Sequence, residues 1–289
     1  MKKSHLIPNT LKEFYALTNI NHRNLLTLSN PKIDKNVIPT FGIHLAPNNM
    51  SGFNICKMAF NCKKICLHAS GSKLHYSNKI KSRIKKTLAF KTDNNYFLIT
   101  ALISLLDQYK KNNYEAIAFR PNLTSDIEYE KIKINIDVSI SIFIYDRFNI
   151  KISSGQYDNI FQLFLDNGLK IITYDYTKIY RKDNFKYCNK LKYNITYSYD
   201  GYSNRVVRLN CLKAIDNNIN ISACMDYSKK DIIPSSFYSH HLNRTFKVID
   251  GDKTDLRSLD SKNSLVALRF KVPYAFNFTK QDKENFILR

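Results

Sequence analysis

The chain contains no tryptophan, and its 289 residues include only seven glycines and seven prolines. So few glycines exclude a dinucleotide fingerprint in practice. No Gly-rich phosphate loop, Walker motif, His-Glu-x-x-His or Gly-x-Ser-x-Gly segment occurs. No run of about eighteen apolar residues is present, so no membrane span is read. The opening stretch carries Lys2 and Lys3 but no apolar segment behind them, so a secretory signal is not expected. A reducing compartment follows as the expectation, either the cytoplasm or an organelle interior (plastid or mitochondrion). There the cysteines would be thiols or ligands.

Acidic residues are scarce as well: 24 Asp+Glu face 45 Lys+Arg, a net charge of +21. Such a field attracts polyanions, and nucleic acid or a phosphorylated small molecule is the partner it suggests. The plainer source is lysine from AT-rich codons on a solvated surface, since isoleucine, asparagine, lysine and tyrosine are all heavily used. An organelle, plasmid, phage or low-GC bacterial genome fits that bias. Basic residues crowd Lys73 to Lys91, where Lys81, Arg83, Lys85 and Lys86 are the candidate phosphate or nucleic-acid contacts. At 44% hydrophobic, 13% of all residues being aromatic, the chain can bury a substantial core.

Half of the six cysteines lie within eleven residues, as Cys56, Cys62 and Cys66, after a strand-like run and before the basic stretch. Thiolates are soft ligands, and one short loop gathers them at little closure cost. Three thiolates holding a four-iron cluster would leave one iron open. A tetrahedral zinc would need a fourth ligand, with His68 and His44 as candidates. A disulfide and unliganded core cysteines are the remaining readings. The adjacent His240 and His241 point apart on most backbones and are not read as a joint metal site.

Along the chain, residues 1–36 read as a peripheral arm with a short helix near Thr10–Leu17. The rest, 37–289, alternates strands and helices. Strands are expected at Pro39–Ala46, Ala116–Phe119, Ser139–Tyr145, Leu169–Tyr174, Tyr193–Tyr197, Ile219–Cys224, Thr245–Ile249 and Leu265–Phe270. Ser139–Tyr145 reads as the clearest buried strand. Helices are expected at Lys79–Phe90, Asn94–Lys111, Tyr157–Asn167 (closed by Gly168) and Arg205–Asn217, with a short opening at Ser125–Lys131. This rhythm predicts an α/β fold with a parallel sheet. A single (β/α) barrel-like domain, complete or incomplete, is the most economical solution, and a doubly wound open sheet is the alternative.

In such a fold chemistry sits beyond the carboxyl ends of the strands. There the sequence places Arg120, Asn122, Ser125 and Asp126, then Asp146-Arg147, Asp175 and Lys178, Asp200, Asp226, and Asp250-Gly251-Asp252. Asp126, Asp175, Lys178 and Asp250 are the candidate catalytic groups. Asn122, Ser125 and Asp252 would bind a cofactor, and Arg120 a phosphate. The structural reading is that Asp and Asn cap helices and form turns at these junctions anyway. Asp250-Gly-Asp252 is the best turn candidate, because glycine permits positive φ.

Several segments together resemble phage- and plasmid-encoded proteins of the mycobacteriophage "gene product 88" type. They are Leu45-Ala-Pro, Ser51-Gly-Phe-Asn-Ile-Cys56, Cys62-Lys-Lys-Ile-Cys66, Ser70-Gly71, Arg83-Ile-Lys-Lys-Thr87, Arg120-Pro-Asn-Leu-Thr-Ser-Asp126, Tyr174-Asp-Tyr-Thr-Lys178 and Val248-Ile-Asp-Gly-Asp252, with Asp255 and Asp260. The resemblance spans roughly residues 40–270 and implies mobile-element ancestry; the family lends no activity. Relatives with a three-cysteine segment are in turn similar to radical S-adenosylmethionine enzymes, which carry a cysteine loop after the first strand of a barrel. The usual spacing there is three residues then two, against five then three here. The resemblance implies an iron–sulfur cluster and S-adenosylmethionine in redox or radical chemistry on a nucleotide or nucleic acid. The competing expectation is a zinc-stabilised nucleic-acid-binding protein for phage or plasmid replication.

Overall fold

The structure, a computed structural model, describes residues 7–30, 33–69, 76–272 and 278–289. The first helix, α1 (Leu11–Thr18), is capped by the Thr10 side chain, which accepts from Glu13 N. A short strand β1 (Thr40–Gly42) follows. Two long helices come next, α2 (Tyr76–Thr92) and α3 (Asn94–Lys111), the second capped by Asp93. Then come β2 (Ile117–Arg120), β3 (Ile134–Ile136), α4 (Val138–Phe148), β4 (Gly155–Tyr157) and α5 (Ile160–Asp166). The chain continues through β5 (Ile171–Thr177), α6 (Lys182–Lys190), β6 (Tyr193–Ser198), α7 (Arg205–Asp216) and β7 (Ile221–Met225). It ends with β8 (Ser236–Ser239), β9 (Arg244–Asp250), β10 (Ser264–Arg269) and α8 (Lys280–Phe286).

Eight strands form one sheet in the order β1-β2-β5-β6-β7-β10-β9-β8, and β3 and β4 pair as a separate antiparallel ribbon. Every pairing in the large sheet is parallel except β8 with β9. The first five strands of that order step one way through the chain. The fold is a mixed α/β one built on a mostly parallel eight-stranded sheet, and among the described residues no pairing joins its two edge strands. Among the described residues no helix is long and apolar enough to cross a membrane.

The core forms because α3 is apolar nearly all round, with Phe97 through Leu106 buried against the sheet. A second cluster packs α7, through Cys211 and Ala214, onto β6, β7 and β10. Residues 1–36, read as a peripheral arm, send Phe14, Ile20, Leu25 and Leu26 into the main cluster. Gly168 takes a φ of 62° beyond α5, as a glycine closing a helix should.

The expected strand at Ser139–Tyr145 is instead part of α4. Its Ser-Ile-Ser-Ile alternation mimics a strand, but Asp137 caps the segment by accepting from Ile140 N at 2.8 Å. Ile140, Ile144 and Phe148, four residues apart, are the buried set, while Ile142 and Tyr145 face out. Asp146 and Arg147 therefore leave the strand ends, and Arg147 pairs with Asp107 at 2.8 Å. The expected opening at Ser125–Lys131 is a loop ending in a single 3-10 turn, Tyr129–Lys131. The helices α6 and α8, the ribbon, and the antiparallel edge strand β8 were not legible from apolar period.

Candidate active site at the sheet mouth

Because the main strands are parallel, their carboxyl ends open on one side, and the cysteine loop lies there after β1. Ile55, Ala59 and Ile65 anchor the loop in the interior. Asp200, just beyond β6, holds it: the carboxylate accepts from Phe60 N and from Cys62 N (2.7 Å), and its carbonyl accepts from Asn61 Nδ2 (2.7 Å). Gly201 has a φ of 104°, and a Cβ there would come within 2.4 Å of Asn61 Nδ2. Lys64 pairs with Asp282 of α8 at 2.6 Å, so the C-terminal helix braces the loop from outside.

Cys62 and Cys66 meet at this point, with Cys56 close enough to act on both through its charge. The Cys66 thiol hydrogen-bonds to Cys62, which lowers the Cys62 pKa and raises that of Cys66; burial raises Cys66 further, and nearby Lys178 assists Cys62. Burial pushes the Cys56 thiol up to about 11, and its Sγ lies 3.9 Å from the Thr124 carbonyl. Burial alone would lower the Lys178 ammonium, but Cys62, Asp200, Asp126 and Cys56 together raise it. Its Nζ donates to Ser198 Oγ at 3.3 Å. Asp126 fixes the Lys178 backbone by accepting from its N–H at 3.0 Å and from Thr177 Oγ1 at 2.7 Å. Burial raises both Asp126 and Asp200, and Lys178 opposes the rise at each. One lysine thus stands among thiols and two acids.

All six cysteines are unbridged. Among the described residues no group of three or more Cys, His, Asp or Glu side chains is placed so as to hold a metal ion. Thiols are the donor type that a thiophilic metal or cluster takes. Three soft sulfurs come from one loop, two of them in mutual contact, with a lysine to offset thiolate charge. His44, named as a fourth ligand, has Nδ1 3.3 Å from Thr124 Oγ1, and burial keeps it neutral. His68 is buried with Nε2 3.3 Å from Tyr76 Oη. His241 contacts Tyr199 while His240 meets Tyr238, so the two rings diverge.

The other candidates occupy separate networks. Arg120 lies 2.6 Å from Asp255 and 3.5 Å from Asp175, both buried, and its guanidinium stacks over Tyr176. Asp175 also accepts from Asn122 N (2.8 Å), Tyr176 N (2.9 Å) and Tyr193 Oη (3.1 Å). Arg120 is therefore committed to carboxylates of its own chain. Asn122 and Ser125 shape the 120–127 loop: Asn122 Oδ1 accepts from Ser125 Oγ and Ile127 N. Asp250 and Asp252 hold Arg269, at 3.1 and 3.5 Å. Gly251 does not have positive φ, contrary to expectation. It is glycine because a Cβ would sit 2.6 Å from Val266 Cγ1 on β10. On α2, Lys81 is exposed, Lys85 half-buried, and Arg83 and Lys86 buried, so the helix does not simply turn its basic face to water. Lys73 and the Ser70-Gly71 motif lie outside the described residues.

Asp200 and Asp255 are the residues that sequence reasoning left without a role. Asp200 carried a signal in its place at a strand end before a glycine; Asp255 carried only the family motif.

Burial raises Asp175 to about 7, against the pull of Arg120 and its backbone and tyrosine donors. The folded chain then keeps a proton that the unfolded one, near the ordinary 3.8, has released. Stability from this group is full below that value and is lost as pH rises to about 7, at up to about 1.4 kcal/mol per pH unit. Asp175→Asn lacks this dependence. Denaturant unfolding at pH 5 and pH 7 should show a larger loss in the wild type than in the variant; equal losses would contradict the assignment.

The fold and mouth define a mixed α/β protein with a mostly parallel eight-stranded sheet and a cysteine loop after its first strand. The family described as gene product 88 matches residues 15–288, and the chain belongs to that family. No curated protein and no solved structure matches it.

Proposed function

We propose that the mouth is the active site of an enzyme in which Cys56, Cys62 and Cys66 hold an iron–sulfur cluster. The observation that carries this reading is that Cys56 and Cys62 gather about Lys178, Asp126 and Asp200 at the carboxyl ends of the strands, with Cys66 beside Cys62. The parallel, one-way strand order from β1 to β7 supports an incomplete (β/α) barrel and with it the same reading. A cluster held by three thiolates supplies redox chemistry at the iron they leave open.

The protein's own groups supply the rest. Lys178 holds a proton at Nζ and offsets the negative charge that thiolates bring. Asp200 fixes the loop through two backbone N–H groups, and Asp126 sets the direction of Lys178. The charge of +21 favours a nucleotide or nucleic-acid substrate, and S-adenosylmethionine is the co-substrate to assay first. A cytoplasmic or organellar setting, which keeps thiols reduced, suits such a site.

The second reading is a structural zinc on the same cysteines in a basic nucleic-acid-binding protein of a phage or plasmid. The exposed Lys81 and the net charge favour it. Acids at the mouth disfavour it, because a nucleic-acid groove is rarely lined with carboxylates.

Anaerobic purification with iron, sulfide and zinc analysis separates the two. Iron with acid-labile sulfide and broad visible absorption is expected. Stoichiometric zinc, with DNA affinity that falls steeply with salt, would replace the enzyme reading by the second.

A further inference from the structure

Lys86 is 6% exposed, and no carboxylate in the chain pairs with it. That statement covers the whole sequence, because the undescribed residues 1–6, 31–32, 70–75 and 273–277 contain no Asp or Glu. Its charged neighbour is another cation: Arg83 lies one turn earlier on the same face of α2 and is 9% exposed. Burying the Lys86 ammonium beside a second cation, without a carboxylate paired to it, opposes folding unless something negative enters.

Arg83 reaches the far end of the cysteine loop. The Arg83 guanidinium donates to the carbonyl of His68, two residues past Cys66, at 3.4 Å. On the other side Thr87 Oγ1 accepts from Ala46 N at 2.9 Å, which locks α2 against the segment leaving β1. That segment carries His44, whose ring feels both Arg83 and Lys86 and touches Thr124, the residue whose carbonyl meets Cys56. The cationic pair thus stands beside His44, next to the Thr124 loop whose carbonyl meets Cys56. A polyanion lying on the surface would instead meet Lys81, which is exposed on the same helix.

We propose that Lys86 and Arg83 form an inward-facing seat for a single phosphoryl group of a small-molecule substrate. The inference deepens the active-site reading above and rests on it for the identity of the mouth. Its content is that the phosphate bound there belongs to a mononucleotide or similar phosphomonoester, not to a nucleic-acid backbone. Burial, and secondly Arg83, lower the Lys86 ammonium to about 8, which agrees with a site that lacks its counter-charge.

The test uses the full chain and inorganic phosphate as probe. Phosphate should raise the melting temperature in a saturable way that chloride at matched ionic strength does not reproduce. Lys86→Met should melt no lower than wild type without phosphate, since it removes an unpaired buried charge. It should also bind phosphate about tenfold more weakly or worse, the scale of one lost charge-assisted contact. Lys81→Gln should keep the wild-type response. Adenosine monophosphate should compete with phosphate, and a duplex oligonucleotide should not.

An equal phosphate response in wild type and Lys86→Met overturns the proposal, as does no response in wild type. Competition by the duplex alone overturns it in favour of a polyanion surface. Metal analysis of the same samples keeps the two readings apart. Phosphate binding without metal leaves the seat standing and removes the cluster; metal without phosphate binding does the reverse.

Discussion

Arg120→Met is expected to destabilise the protein by about 3–5 kcal/mol, the cost of removing one partner from a buried ion pair. The reason is that Arg120 is the only basic side chain paired with Asp175 and Asp255 among the described residues, and these acids are 1% and 0% exposed. Methionine fills much the same space, so the loss is one of charge and not of packing. Asp255 would keep the hydroxyls of Tyr174 and Tyr176 and its backbone N–H bond to Asn36, but would lose the Arg120 guanidinium. The melting temperature should fall by roughly 10 °C, on the usual scale for a large domain. Adding Asp255→Asn to Arg120→Met should recover part of the loss, because it removes one stranded carboxylate. A surface ion pair such as Arg244 with Asp216 should cost under about 1 kcal/mol when broken by Arg244→Met. If Arg120→Met proved as mild as that, the network would be decorative.

Lys178→Met is expected to fold and to lose the proposed metal centre. Its ammonium stands among Cys56, Cys62, Asp126 and Asp200, so its removal takes away the cation that offsets their negative charge. Loss of a group that supports ligands without binding metal typically lowers affinity about 10–100-fold. Lys178→Arg keeps the charge and should restore most of the metal content, though its planar fork no longer matches Ser198. Iron and sulfide per chain, measured beside the circular dichroism spectrum, give the result. Full metal in Lys178→Met would show that the lysine serves another purpose.

The sequence was most legible where a single period ran uninterrupted. The faces of α3 and α7, the strands β5, β6, β7, β9 and β10, and the helix stop at Gly168 all follow from such runs. It failed at Ser139–Tyr145, where alternating Ser and Ile imitate a strand; the Asp137 cap and burial every four residues decide for helix. Strand order was out of reach, because β10 inserts between β7 and β9 and no local residue encodes that crossing. The grouping of Asp126 and Lys178 with the cysteines follows from a parallel sheet bringing strand ends together. Asp175 and Asp250 occupy strand ends too, yet each is bound into a separate ion-pair network. Type and position alone could not divide them. The inward turn of Arg83 and Lys86 was hidden for a similar reason, since a basic helix normally faces water.

The native mass of the anaerobically purified chain, compared with that of Cys62→Ala, tests the central claim most directly. The account predicts that the wild type exceeds its 33.8 kDa polypeptide by the mass of an iron–sulfur cluster. The Cys62→Ala chain should carry the bare mass. A wild-type mass equal to the polypeptide alone, with Cys56, Cys62 and Cys66 all open to alkylation in the folded state, would contradict it.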